Sequence, residues 1–243
     1  MVDTFTVMGM VLSSMPIGEY DKRIVIYTKE MGKISAFVRG ARRSNSPYLA
    51  STQAMAFGEF TLYRGRNSYT VNGAKITDYF FEKMHDIDVL YTGMYFLELT
   101  DYFGKEDLPS PEMLVLLYLT MKHLAEGKIS VELIRSIFEL KMMVINGEYP
   151  DFFACKVCGK KDNLDFLDVS KEGVVCTDCH GTIKEKDRLK KSTLYALQYI
   201  VSSQLNKLFT FTVKDEILEQ LKNITNSLIE RRVDKHFNSL DFL

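Results

Sequence analysis

The hydrophobic periodicity of this chain changes once, at Tyr79, and that change limits the possible fold more than any other feature. Upstream, Thr4 to Tyr79 is rich in Val, Ile, Thr, Phe and Tyr, and is interrupted by "PIGEYDK", "EMGK", "GARRSNSP" and "YRGRNS". Apolar runs of that composition, divided by Gly, Pro, Asn and Asp, predict strands joined by turns. Five strands are expected, near 4–13, 22–29, 33–39, 58–64 and 69–79. Five short strands with a long connection after the third fit a small Greek-key barrel of the OB type, with an SH3-like barrel as the main rival. Strand alternation in "KISAFVR" puts Ile34, Ala36 and Val38 on one face and Lys33, Ser35, Phe37 and Arg39 on the other. Phe37 thereby lies beside two cations.

Downstream of Tyr79 the segments 86–103, 111–125 and 131–147 are long and apolar; the first opens with Asp86, and the others follow Ser110 and Ser130. They predict helices, with Ser110 as N-cap before Pro111, and with Gly127 and Gly147 at two of the ends. Two more helices are expected later. One carries Leu194, Leu197, Val201, Leu205 and Leu208 on a stripe, the other Ile217, Leu221, Ile224 and Leu228. The expected class is α+β: an N-terminal five-stranded OB-type β-barrel, residues 1–80, followed by a helical domain, residues 81–243, with a zinc-ribbon-like insertion at 153–182.

That insertion holds all four cysteines of the chain. Cys155 and Cys158, and Cys176 and Cys179, form two C-x-x-C pairs separated by 17 residues, the spacing of a structural zinc site. Four thiolates fill a tetrahedron and leave no position for water, so the expected cofactor is a structural Zn²⁺. Gly159 suits the turn after the first pair, and "LDFLDVSKEGVV" reads as a hairpin turning at Glu172-Gly173. A redox dithiol would need one C-x-x-C in a thioredoxin-like setting, which is absent. His180 beside Cys179 is an alternative ligand, though an exposed bystander fits as well.

The formal net charge is −1, but its distribution is uneven: residues 1–80 carry 10 Lys and Arg against 6 Asp and Glu, and residues 81–154 carry 6 against 13. The cations of the barrel cluster at its turns: Lys22 and Arg23, then Arg39, Arg42 and Arg43, then Arg64 and Arg66. Guanidinium groups beside exposed rings such as Phe37, Tyr63 or Tyr69 are what a single nucleic-acid strand requires, since cations neutralise phosphates and rings stack on bases. Charged turn residues that merely keep a barrel soluble are the bland alternative. No nucleotide-binding, serine-hydrolase or zinc-protease motif occurs, and His85, His123, His180 and His236 have no triad spacing. An enzyme is therefore not expected. The longest apolar run, Met113 to Leu119, is far short of the roughly 20 residues of a membrane helix. With no secretory signal in "MVDTFTVMGM", a cytoplasmic location is expected.

Taken together, "GMVLSSMPIGEYD", "YTKEMGKISAFVRGARR", "FGEFTLYRGR", "GEYPDFFACKVCG" and the closing "FNSLDFL" resemble the bacterial recombination mediator family RecO, nearly end to end. The resemblance implies an OB domain and a helical domain with a zinc-ribbon-like insertion. It implies a non-enzymatic protein that binds single- and double-stranded DNA and anneals complementary strands. It would also associate with the ring-forming protein RecR and help RecA replace single-strand-binding protein (SSB) on gapped DNA, at the nucleoid. The family's basic OB surface corresponds to Lys22, Arg23, Arg39, Arg42, Arg43, Arg64 and Arg66, to which the strand pattern adds Lys33 and Phe37. Some members lack the cysteines, so zinc is not required for the shared activity. The resemblance implies that the helical domain takes up the acidic, apolar C-terminal tail of SSB; Lys122, Arg135 and Lys141 are possible carboxylate partners, though solvated helix faces explain them as well. An RNA-binding or ribosome-associated protein, or a protein–protein adaptor, are the alternatives.

Overall fold

The computed structural model describes residues 4–66, 68–184 and 188–243; the first three residues of the N-terminal stretch and Asn67 of the "YRGRNS" turn lie outside it. Five strands form the N-terminal element: β1 (Thr4–Ile17), β2 (Asp21–Thr28), β3 (Gly32–Val38), β4 (Ala56–Arg64) and β5 (Tyr69–Tyr79). They close a barrel in the order β1-β2-β3-β5-β4. Closure through a parallel β3–β5 contact, Ala36↔Tyr69 and Phe37↔Thr70, is the OB arrangement and not the SH3-like one.

β1 is longer than its apolar run suggested because it serves two neighbours. Its first part pairs with β4, from Thr4↔Tyr63 to Met10↔Phe57, and its second with β2, from Gly9↔Thr28 to Ile17↔Asp21. A bulge between Val11 and Ser13 bends it from one partner to the other. Inward-facing Val7, Val11, Ile24, Ile26, Ile34, Ala36, Val38, Phe60, Leu62 and Val71 fill the barrel. β4 starts at Ala56, and residue 58 must be glycine: a Cβ there would come within 2.3 Å of the Lys75 carbonyl oxygen and 2.7 Å of the Ile76 Cα.

Residues 39–55 form a chain of turns held to the barrel. The Gly40 N–H donates to Asp21 Oδ1 (2.8 Å), the Arg42 N–H to the Tyr20 carbonyl (2.9 Å), and Ala41, Thr52 and Met55 are fully buried.

Helices follow as expected: α1 (Ile87–Phe103), α2 (Pro111–Glu126) and α3 (Val131–Ile145). Asp86 and Ser130 cap α1 and α3 through side-chain acceptors. Ser110 occupies the N-cap position of α2 but makes no side-chain capping hydrogen bond. Gly127 closes α2 in the left-handed conformation at φ 63°. After the cysteine segment, which contains a short hairpin of β6 (Phe166–Asp168) and β7 (Gly173–Val175), come α4 (Lys191–Ser202) and α5 (Asp215–Glu230).

The stripe expected through Leu208 outruns its helix. α4 stops at Ser202, where the Lys141 Nζ donates to the carbonyls of Ile200 (3.2 Å), Val201 (2.9 Å) and Ser203 (2.7 Å). That ammonium satisfies the terminal acceptors, and Ser203 turns extended. Leu208 is still fully buried, from a 3-10 turn over Leu205–Lys207.

The chain groups into two compact units, Met1–Lys128 with Phe237–Leu243, and Ile129–His236. The change from strand to helix near residue 80 is not where compactness divides it, because α1 packs on β1 and α2 on β1 and β2. The last residues rejoin the first unit on α1. Phe237 packs edge-on to Tyr95 and Tyr102, Phe242 stacks on Tyr91 at 4.4 Å, and the Ser239 hydroxyl donates to Glu98 Oε2 at 2.6 Å. Within the second unit α3, α4 and α5 pack on one another, α5 through Ile217, Leu221, Ile224 and Leu228. Among the described residues no helix is long and apolar enough to cross a membrane.

Candidate nucleic-acid groove and metal centre

On the outer face of β3 the alternation puts Lys33, Ser35 and Phe37 opposite the core, and the ring of Phe37 is 39% exposed. β3 meets β5 at only two positions, and Gly32 and Lys33 bridge instead to Glu106. Beside these contacts lies a groove of about 500 Å³, lined by Arg23, Lys33, Phe37, Arg64, Arg66 and Tyr69, and also by Glu106 and Asp107. Arg23 is opposite Phe37 in the β2–β3 register and its Nε donates to Ser35 Oγ at 2.7 Å, which holds the guanidinium along the groove. Arg64 and Arg66 flank Gly65 in the β4–β5 turn, whose N–H donates to the Ser68 carbonyl at 2.8 Å. Tyr69 is braced edge-on by Phe5, with ring centroids 5.9 Å apart.

The other expected cations do not line this groove. Lys22 donates to Thr52 Oγ1 at 3.2 Å, and partial burial, helped by the nearby Arg42 charge, pushes its pKa below the usual lysine range. Arg42 Nη1 donates to the Gly18 carbonyl at 3.1 Å, and Arg43 lies over the Tyr20 ring at 5.2 Å. These two and exposed Arg39 form a second basic group beside the β1–β2 turn. Lys33 lines the groove, but its ammonium is 3.2 Å from Asp101 Oδ1 and donates to the Asp101 carbonyl at 2.7 Å. Among the described residues Arg23, Arg39, Arg42, Arg43, Arg64 and Arg66 form no ion pair. Tyr63 is 39% exposed yet does not line the groove. Tyr20, Glu106 and Asp107 were not legible as neighbours of this surface, since their places depend on contacts distant in sequence.

The four cysteines come together. Their Sγ atoms all lie within 4.8 Å of one another, and Cys158 and Cys176 Sγ are 3.7 Å apart. Metal–thiolate bonds of about 2.3 Å in a tetrahedron require sulfur–sulfur edges of about 3.8 Å, so the cluster could hold a metal ion. Each C-x-x-C bends back in a tight turn: Gly159 N–H donates to the Cys155 carbonyl at 2.8 Å, and Cys179 N–H to the Cys176 carbonyl at 2.9 Å. Gly159 takes φ 76°. The hairpin turns where expected, with Glu172 at φ 54°. Burial pushes the Cys155 thiol up, but backbone N–H donors of Cys158, Cys176 and Val157 outweigh this and bring it to about 6. Cys179, hydrogen-bonded to the Cys176 and Cys158 sulfurs and partly desolvated, is pushed up to about 12. Four thiols this close cannot all ionise without a cation among them. His180 is half-buried and lies outside the group that the four sulfurs form; its Nδ1 donates to the Thr177 carbonyl at 2.6 Å and its ring stacks on Phe166 at 4.5 Å.

Two of the three cations named as possible partners for a carboxylate tail are engaged within the second unit. Arg135 Nε donates to Glu139 Oε1 at 2.8 Å, and Lys141 caps α4. Lys122 borders a small cavity with Tyr118 and Glu126 in the first unit.

Two family models cover the sequence, the recombination protein O N-terminal domain over residues 1–80 and its C-terminal domain over residues 84–241. The DNA repair protein RecO of Acetivibrio thermocellus is 30% identical over 237 residues, spanning 97% of this chain and 94% of that protein. That of Alkaliphilus metalliredigens is 31% identical over 235 residues, 96% of each. With an OB barrel, a helical region and a four-cysteine cluster in this order, the chain belongs to the RecO family of DNA repair proteins.

Proposed function

We propose that this chain is a non-enzymatic recombination mediator that binds single- and double-stranded DNA and anneals complementary strands. The observation that carries the reading is the groove on β3. Three guanidinium groups without ion pairs, Arg23, Arg64 and Arg66, surround Phe37 and Tyr69, which combines phosphate neutralisation with stacking surfaces. Lys33 contributes through its stem. Arg39, Arg42 and Arg43, with Lys22 beneath them, form a second basic surface for a second strand or a duplex backbone. Annealing follows physically: a protein that neutralises the phosphates of two strands lowers their mutual repulsion while pairing proceeds.

Zn²⁺ held by Cys155, Cys158, Cys176 and Cys179 is the proposed cofactor; when bound it supplies a cross-link between the two C-x-x-C turns and no reaction chemistry. RecR, the SSB tail and, indirectly, RecA are the proposed partners, in the cytoplasm at the nucleoid, on the strength of family membership. For the acidic, apolar tail, the second unit offers a groove of about 480 Å³ lined by Tyr195, Tyr199, Phe211 and Lys214.

The test is anisotropy of a labelled single-stranded DNA oligomer across a salt series, with a sequence-matched RNA alongside. Tight, steeply salt-dependent DNA binding supports the reading. Stronger RNA binding would favour an RNA-binding protein, and no nucleic-acid binding with retained RecR association would favour an adaptor.

A further inference from the structure

Two carboxylates, Glu106 and Asp107, line the groove together with its arginines, and several contacts of the fold keep them there. The connection between α1 and α2 is fastened to the start of β3 at several points. Lys33 N–H donates to the Lys105 carbonyl at 3.1 Å, and Gly32 and Lys33 both bridge to Glu106. The Lys33 ammonium grips Asp101 at the end of α1. Gly32 has φ 67°, and a Cβ on it would come within 2.3 Å of the Leu108 carbonyl oxygen and 2.7 Å of that of Lys105. The backbone of β3 and that of residues 105–108 therefore touch at a place where only glycine fits. This fixes Glu106 and Asp107 on the groove that Arg23, Arg64 and Arg66 line. Both carboxylates are exposed, and neither forms an ion pair among the described residues.

A surface selected only for affinity to phosphate would not fix two unpaired carboxylates among its lining residues, since they repel a phosphate bound in the same groove. A single strand has one backbone, which can run along the arginine wall with its bases over Phe37 and Tyr69. A duplex brings a second backbone, which in the same seat approaches the acidic lip. We infer that Glu106 and Asp107 are specificity-determining residues that make this groove selective for one phosphodiester backbone over two. The inference rests on the groove being the single-strand site.

The test measures single-strand and duplex affinity by anisotropy for the native chain, for the double variant Glu106→Gln/Asp107→Asn, and for Arg64→Ala/Arg66→Ala. Asn accommodates the left-handed backbone of residue 107 (φ 54°), and both positions are exposed, so circular dichroism should match the native chain. The lip variant should bind duplex about five- to tenfold more tightly at low salt and single strands less than about twofold more tightly, a difference that shrinks as salt screens it. Equal gains on both ligands, or none, while the arginine variant loses single-strand binding, would overturn the role of the lip and leave the groove standing. Undiminished single-strand binding by the arginine variant would remove the groove itself, and the inference with it.

Discussion

Replacing Arg64 and Arg66 by alanine should change how binding depends on salt, by an amount the structure fixes in advance. Three cations without ion pairs line the groove, Arg23, Arg64 and Arg66, while Lys33 is held by Asp101. Each phosphate neutralised on a single strand contributes about −0.7 to the slope of log K against log salt. The groove alone thus gives a slope of about −2, and the double variant about −0.7. Between about 50 and 200 mM salt, the native chain should lose about twentyfold in affinity and the variant about threefold. If Arg39, Arg42 and Arg43 also hold phosphates, the native slope approaches −4, roughly, but the difference between the two proteins is unchanged at about 1.4. The difference therefore tests the groove, and the absolute value tests the second basic group. Anisotropy of a labelled oligothymidylate at five or more salt concentrations measures both. Parallel lines for the two proteins would refute the argument, because a guanidinium that releases no counterion is not a phosphate ligand.

Four further outcomes are expected. Purified protein should carry one equivalent of zinc by elemental analysis, and chelation or Cys158→Ser should lower the melting temperature; four freely titrating thiols in folded, zinc-free protein would contradict this. Gly58→Ala should destabilise the barrel by about 1–3 kcal/mol in urea unfolding, because its Cβ meets backbone at 2.3 Å and backbone cannot move aside as a side chain can. Lys141→Ala should cost about 2–3 kcal/mol, since three carbonyls at the end of α4 lose their donor, and unchanged stability would mean that water replaces the ammonium. Burial of Asp168 raises its pKa, but hydrogen bonds from Ser170 and Lys171, and the Lys171 charge, hold it below its ordinary value of 3.8. A depressed folded-state value means stability that is present above the unfolded pKa and lost as pH falls through the folded one. Asp168→Asn should therefore be less stable than the native chain at neutral pH, with the two melting temperatures drawing together as pH falls below the ordinary carboxylate value and through the depressed folded-state one.

Local periodicity was enough to read the five strands, the helices, the inward face of β3 and the four-cysteine cluster, because each depends on contacts close in sequence. A strand that alternates must send Ile34, Ala36 and Val38 one way and Phe37 the other, and two C-x-x-C turns around a short hairpin must bring four sulfurs together. Where long-range contacts decide, the same reading ran short. The apolar stripe identified the burial of Leu208 but not the end of the helix before it, since Lys141, some 60 residues away, ends α4 by taking its carbonyls. Charge counting found the cations of the barrel but could not divide them. The β2–β3 register and the β4–β5 turn gather Arg23, Arg64 and Arg66 around Phe37, whereas Arg42 and Arg43 follow a different turn to Gly18 and Tyr20. The acidic lip was wholly beyond sequence. Acidic residues such as Glu106 and Asp107, just ahead of a helix, read as dipole partners and caps, and only the close approach permitted by Gly32 sets them beside the arginines, a neighbourhood that chain order does not encode.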